Sequence, residues 1–247
     1  MTTPAFRPCA VIPTFDNALT IGRVLAEVKR YLDAVILVDD GSGAAGQAVL
    51  EDIERTGQVV VIRRRRNGGK GAAVKTGFRA AQQAGYTHAL QIDADGQHDT
   101  ADIPHFLEVA AARPEAAVLG HPVFDSSTPR GRRAAHQFTN FWTRIETGGP
   151  TITDPQCGYR IYPVEAARAV EARGNRMDFD IEIAVRLVWA GVPIVNLPTR
   201  VRYLHAGDGG VSHFRPFRDN VAISVMHTRL VLESLMWRLR RRRGRPR

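Results

Sequence analysis

The sequence predicts an α/β fold: a mostly parallel central sheet flanked by helices, followed by a C-terminal amphipathic helix and a basic tail. Three observations predict it. Strand-like and helix-like segments alternate over the first 120 residues, the pattern of parallel βαβ units. The polar clusters "PTFDN", "VDDGS" and "DADGQH" each follow a short apolar run, where the carboxyl end of a strand belongs. The last ten residues, "RLRRRRGRPR", hold seven arginines and no acid.

Taken in order, "CAVIPTF" reads as a first buried strand. Ile21, Val24, Leu25, Val28 and Leu32 then recur at helical spacing. The β-branched run "AVILVDDGSG" is a second strand ending in a carboxylate pair and glycines. Ala44 to Arg55 is a helix with Val49, Leu50 and Ile53 on one face, and "QVVVI" a third strand. "RNGGKGAAVKTGFRAAQQAG" is a glycine-rich turn entering a helix. "HALQI" is a fourth strand; Ile103, Phe106, Leu107 and Ala110 mark the next helix; "AAVLG" is a fifth strand. The second half is less regular. Arg132 to Glu146 suits a helix, "DPQCGYRIYP" a turn and strand, Asp180 to Ala190 a helix and "VPIVNLPTRVRYL" a strand. The polar loop "HAGDGGVSHFRPF" precedes a last long helix. The expected division is a main domain over residues 1–216 and an amphipathic helix with an Arg-rich tail over 217–247.

Composition narrows the function classes. The chain has 247 residues, 44% hydrophobic and 24% charged, an ordinary globular balance that needs no disulfide staples. Cys9 and Cys157 have no metal spacing and read as packed thiols in a reduced compartment. The start lacks the pattern of a signal peptide, and no apolar run reaches the roughly 20 residues of a spanning helix. The net charge of +9 falls to +2 without the seven tail arginines (9 − 7 = 2), so the body is nearly neutral. That argues against a nucleic-acid-binding protein, which would also interleave aromatic and basic residues over one face.

In parallel sheets ligands bind at the carboxyl ends of the strands, so the three clusters converge on one rim. Asp93 and Asp95 alternate around Ala94 and can reach one hard cation such as magnesium or manganese, with Gln97 adding a carbonyl oxygen. A solvated turn with Asp99 or Thr100 capping the next helix accounts for the same residues. A calcium loop of the EF-hand type does not, because Pro104 stands where its closing Glu belongs. Asp39 and Asp40 can receive base or ribose donors, or simply close an ordinary βα loop. "NGGKGAA" departs from the P-loop pattern, leaving Lys70 as a cation in a flexible turn at a helix start. Arg63 to Arg66 is a solvated edge or a contact with phosphates.

The order "IPTFDN", "VDDGS", "NGGKGAAVKTG", "DADGQH" resembles the family 2 inverting glycosyltransferases of GT-A, Rossmann-like fold. It is most similar to their dolichyl-phosphate mannosyltransferase-like branch, over roughly residues 8 to 215. The resemblance implies that Pro13, Thr14 and Phe15 line the nucleotide pocket and that Asp40, with Asp39 beside it, holds the base. Lys70 would lie beside the nucleotide. Asp93 and Asp95 would be the metal-binding Asp-x-Asp, Asp93 also touching the nucleotide, with Gln97 a further ligand. "TPRGRR" supplies Arg130, Arg132 and Arg133 near the acceptor phosphate, and "GVSHFRPFRDN" supplies Arg215 in a basic loop over the diphosphate. In "DPQCGYRIYP" Cys157 replaces the serine of the branch's "DxxSGF" segment. "GYRIYP", "RMDFDIEI" and "GVSHFR" are also similar to glycosyltransferases of bacterial aryl-polyene and xanthomonadin-type pigment pathways.

The activity implied is metal-dependent inverting transfer of a sugar from a UDP- or GDP-linked donor to a polyprenyl phosphate or other lipid-like acceptor. A divalent cation stabilises the charge that grows on the leaving diphosphate. One in-line displacement needs no enzyme nucleophile. A hydroxyl acceptor needs a carboxylate base, for which Asp180, Asp154 and Glu182 are the candidates, Asp180 first. His213, rather than His205, is the histidine expected to complete the metal or touch the diphosphate, in a loop whose glycines let it close. A sugar-phosphate nucleotidyltransferase would need a glycine- and arginine-rich loop after the first strand, and "IPTFDNALT" has neither. The last helix and tail suit peripheral attachment to an anionic membrane, expected to be the cytoplasmic face of the plasma membrane.

Overall fold

The computed structural model of the chain describes residues 5–123, 130–201 and 216–243. Seven strands form one sheet in the order β3-β2-β1-β4-β6-β5-β7. β1 (Pro8–Thr14), β2 (Val35–Asp39), β3 (Val60–Arg63) and β4 (His88–Gln91) are parallel to one another, as are β5 (Ala117–Pro122) and β7 (Ile194–Thr199). β6 (Arg160–Pro163) is antiparallel to both neighbours, β4 and β5. Strands β1 and β2 are apolar on both faces because helices cover both.

On one face lie α1 (Ile21–Val28), α2 (Ala44–Arg55) and α4 (Ile103–Ala112). Their buried residues Val24, Leu25, Leu50 and Phe106 pack on Ile12, Leu37 and Leu90. On the other lie α3 (Lys70–Gln83), α6 (Val164–Ala169), α7 (Asp178–Trp189) and α8 (Pro216–Arg243). There Val74, Phe78, Phe179, Ile183, Met226 and Leu230 meet Val11, Val38 and Tyr162. The helix predicted from Arg132 to Glu146 is α5 (Arg130–Thr147). It packs on α8 through a buried bond between His227 Nδ1 and Glu146 Oε1 (2.6 Å).

α8 is held along much of its length. Glu182 of α7 accepts from Arg186 Nε (2.6 Å) and pairs with Arg229 Nη2 (2.7 Å), while Arg186 also reaches Glu233 (2.9 Å). Trp237 Nε1 donates to the Trp189 carbonyl (3.1 Å). Two short elements escaped the sequence pattern: α6, too short to show a period, and the 3₁₀ turn Thr100–Asp102, capped by Asp99 Oδ1 on Ala101 N (3.1 Å). Among the described residues no helix is long and apolar enough to cross a membrane.

Candidate active site at the rim of the sheet

The strand register brings the predicted clusters together. Thr14 pairs with Asp39, and Val11 pairs with Gln91, so Pro13 is level with the position Asp93 takes two residues after Gln91. Asp16, in the left-handed region at φ 52°, ties this rim laterally: its Oδ1 accepts from Gly43 N (2.7 Å). Aspartate tolerates that conformation better than most residues.

The centre of the rim is a largely buried cluster of one cation and two carboxylates. Lys70 is the first residue of α3. Its Nζ donates to Asp93 Oδ2 (2.7 Å) and pairs with Asp180 Oδ2 (2.8 Å). Gln91 Nε2 donates to Asp180 Oδ1 (2.7 Å). The wholly buried Arg160 donates to the Asp180 carbonyl (2.6 Å) and to Tyr162 Oη (3.1 Å). Burial disfavours the Lys70 charge, but Asp180 and then Asp93 outweigh it and hold its pKa above the usual lysine value. Burial also acts against the Asp93 charge; Lys70 first, then His98, overcome it and bring Asp93 down to about 2. His98 stands 3.9 Å from Asp93 Oδ2 and stacks on the Tyr159 ring.

Asp93 and Asp95 fit a hard cation. Asp93 Oδ1 is buried and has no hydrogen-bond partner among the described residues, an oxygen left for a ligand. Asp95 is pushed above the usual carboxylate range by burial and then by the Asp93 charge, which a bound cation would relieve. Asp95 Oδ1 accepts from Gln97 N (3.0 Å), so Gln97 shapes the turn through its backbone. Among the described residues no three His, Cys, Asp or Glu side chains are grouped to hold a metal. Two carboxylates suit a magnesium-like ion that takes its remaining ligands from substrate phosphates and water.

Glycines let the chain close around this cluster. A Cβ on Gly158 would stand 2.5 Å from Asp93 Oδ2 and press on Lys70 Nζ, so only glycine brings the Asp154–Gly158 turn onto the site. Gly69, at φ 100°, lies against Asn175 and Arg176, which pins the lysine loop to the start of α7.

Other predicted residues lie outside the Lys70 cluster and make their own contacts. Asp39 is fully buried, accepting from Ser42 N (2.9 Å) and Gln47 Nε2 (2.6 Å), and shapes the β2–α2 turn. Asp40 accepts from Gly68 N (3.0 Å), Gly69 N (2.6 Å) and Arg64, and so clamps the lysine loop to β2. Asp154 is turned to His136 and accepts from Gln156 N and Cys157 N (both 2.8 Å). Burial opposes its charge, but the His136 bond holds its pKa low. Glu182, fully buried, accepts from Gly174 N (2.7 Å) and joins Arg186 and Arg229. Neither Asp154 nor Glu182 bonds to the Lys70 cluster. Of the three candidate bases the structure brings Asp180 alone into it.

Arg133 lies on α5 one turn before His136. Arg130 and Arg132 start the same helix, but their side chains, with His205, His213 and Arg215, lie outside the described residues. Cys9 and Cys157 are free, buried thiols pushed up to about 12 by burial. Of the arginine run, Arg63 bonds Glu54 (2.8 Å) and Arg64 bonds Asp40, so half of it is not a free edge.

Gln91, His98, Gly158 and Arg160 were not singled out as site residues from the sequence. Gln91 and Arg160 carry one legible signal: a polar residue in an otherwise apolar strand needs a buried partner.

Comparison with known proteins agrees with this geometry. The sequence profile described as "Glycosyl transferase family 2" matches residues 9–170. The chain is 29% identical over 205 residues to the undecaprenyl-phosphate mannosyltransferase of Micrococcus luteus, covering 78% of this chain and 82% of that one. It is 28% identical over 210 residues to the polyprenol monophosphomannose synthase of Mycolicibacterium smegmatis, covering 79% and 77%. Its fold is similar to glucosyl-3-phosphoglycerate synthase from Mycobacterium tuberculosis crystallised with Mn2+, UDP-glucose and phosphoglyceric acid. That likeness has a TM-score of 0.64 at 16% identity, over 92% of this chain and 79% of the other. The parallel rim, the antiparallel β6 and the acidic turn after β4 are thus those of a GT-A glycosyltransferase, and the chain belongs to glycosyl transferase family 2.

Proposed function

We propose that this glycosyltransferase moves a sugar, with inversion, from a nucleotide-diphosphate donor to a lipid-linked acceptor, using a divalent cation held by Asp93 and Asp95. The observation that carries this reading is the orphaned Asp93 Oδ1 beside Asp95 at the end of β4, on the rim that Lys70 and Asp180 share. The cation would supply charge stabilisation to the departing diphosphate. The chain's own residues do the rest. Pro13, Thr14 and Phe15 line the donor side, and Asp40 sets the loop against which the base lies. Asp180 is the side chain best placed to receive a proton from a hydroxyl acceptor. A phosphate acceptor is already anionic and needs pairing rather than a base; Arg130, Arg132, Arg133 and Arg215 are assigned that task. His213 is assigned to the cation or diphosphate.

The acceptor class rests on the relatives, two of which are named for undecaprenyl-phosphate and polyprenol substrates. α8 supports it. Val221, Val225, Leu232, Leu235, Met236 and Leu239 are all exposed, and with Phe217 they fall within about 100° of one helix face. That face carries no acid and runs into the arginine block. An apolar stripe ending in a basic cluster suits an anionic bilayer surface. We therefore assign residues 1–216 to catalysis and 217–247 to membrane docking as well, the inner face of α8 remaining part of the core. A lipid-like pigment precursor fits this surface as well as a polyprenyl phosphate does.

Isothermal titration of a nucleotide panel with Mn2+ tests the donor reading. Tight, Mn2+-dependent binding of one nucleoside diphosphate supports it. Salt-sensitive binding to DNA without metal would instead favour a nucleic-acid role.

A further inference from the structure

We propose that Lys70 is the resident counter-ion of this site, antagonising a bare divalent cation at Asp93 and yielding it when a diphosphate arrives, so that cation and donor bind as a pair. The inference rests on the donor and cation reading above and adds a function to a residue otherwise assigned only to the nucleotide.

The geometry makes the case. Lys70 Nζ lies between Asp93 Oδ2 (2.7 Å) and Asp180 Oδ2 (2.8 Å), and its side chain is only 13% exposed. Asp180 is further fixed by Gln91, and Gly158 lies directly against the ends of Lys70 and Asp93. Two carboxylates held this close to one nitrogen would repel each other without the ammonium. A divalent cation on Asp93 Oδ1 must share that carboxylate with the ammonium on Oδ2. It then faces like-charge repulsion in a site with little water to screen it. A bare cation therefore binds weakly. A nucleoside diphosphate changes the balance, because its oxygens ligate the cation and offer Lys70 a replacement anion at the start of α3, where backbone N–H groups also favour negative charge. Asp180 loses part of its counter-charge at the same moment. By linkage, the factor by which diphosphate tightens Mn2+ equals the factor by which Mn2+ tightens diphosphate.

The test is Mn2+ binding followed by electron paramagnetic resonance, without nucleotide and with UDP or GDP, counting the nucleotide–Mn2+ complex free in solution. In the native chain, diphosphate should tighten Mn2+ about tenfold or more. Lys70→Met should bind Mn2+ alone about tenfold more tightly and keep less than about a threefold response to diphosphate. Lys70→Arg, which retains the charge, should stay near the native pattern. Lys70→Met leaves Asp93 and Asp180 without their shared cation and could unfold the protein, so the double variant Lys70→Met/Asp180→Asn is measured too; it removes one of those charges and should show the same gain for Mn2+ alone. If both variants bind Mn2+ alone as weakly as the native chain, while that chain still binds Mn2+ with a diphosphate, Lys70 is only structural. If the native chain binds Mn2+ with neither diphosphate, the donor reading falls as well.

Discussion

Replacing Gly158 by alanine separates stability from function at this site. The added Cβ would lie 2.5 Å from Asp93 Oδ2 and 2.9 Å from Asp93 Cγ, and nearer still to Lys70 Nζ. Ordinary carbon–oxygen contact begins near 3.4 Å, so the carboxylate and ammonium must retreat by roughly 1 Å. The obstructed atoms are the ends of two side chains, which can turn aside without moving β4 or α3. The stability cost therefore falls near the lower end of the usual ~1–3 kcal/mol for overpacking. The functional cost does not, because the displaced atoms are the proposed cation ligand and its counter-ion, and a misplacement of about 1 Å costs on the order of 100-fold in rate. Thermal melting, Mn2+ binding with diphosphate, and kcat/KM are measured side by side, with Gly149→Ala as control because its Cβ would meet nothing within 4 Å. Gly158→Ala should melt within several degrees of the native chain yet lose most transfer and Mn2+-dependent binding. Native activity in this variant would show that the Asp154–Gly158 turn does not bear on the reacting centre.

Other substitutions probe the remaining assignments. Asp95→Asn should abolish Mn2+-dependent nucleotide binding while leaving the melting curve in place; retained binding would remove Asp95 from the cation site. Glu182→Ala should act on stability instead, costing up to about 3 kcal/mol because it leaves Glu233 as the one carboxylate shared by Arg186 and Arg229; a loss of kcat at unchanged stability would favour a catalytic role for Glu182. Asp93, Asp154 and Glu182 have lowered carboxyl pKa values, so the folded state binds fewer protons than the unfolded one near pH 4. Their stabilisation is full above about pH 5 and is lost as pH falls through the folded values, about 2 for Asp93. Denaturant midpoints should therefore drop between about pH 5 and pH 2, and a flat profile would contradict the pairing described. Leu232→Glu with Leu239→Glu should weaken co-flotation with anionic vesicles at least tenfold without changing the melting curve, since both residues are exposed. Equal flotation would leave the stripe without a membrane role.

Much of the fold was legible because apolar runs and glycine punctuation mark βαβ units directly. The rim clusters followed from topology, since strand ends in a parallel sheet share one edge. The antiparallel setting of β6 was not legible: four residues, one of them the buried Arg160, carry no signal of direction. Asp180 and Glu182 stood together as candidate bases, yet residues two apart on a helix point about 200° apart. Asp180 accordingly meets Lys70, while Glu182 meets Arg229 on the far side. Lys70 was placed beside the nucleotide, but its bridge between Asp93 and Asp180 depends on contacts across 23 and 110 positions, which local pattern does not encode. The apolar period of α8 was legible too, but not which of its two apolar faces the core would take.

Titration of the native chain and of Asp93→Asn with UDP and GDP, with and without Mn2+, bears most directly on the rim as a cation-assisted donor site. Binding of one diphosphate that requires Mn2+ in the native chain and disappears in Asp93→Asn is the expected result. Diphosphate binding of equal strength in both proteins, indifferent to Mn2+, would contradict it.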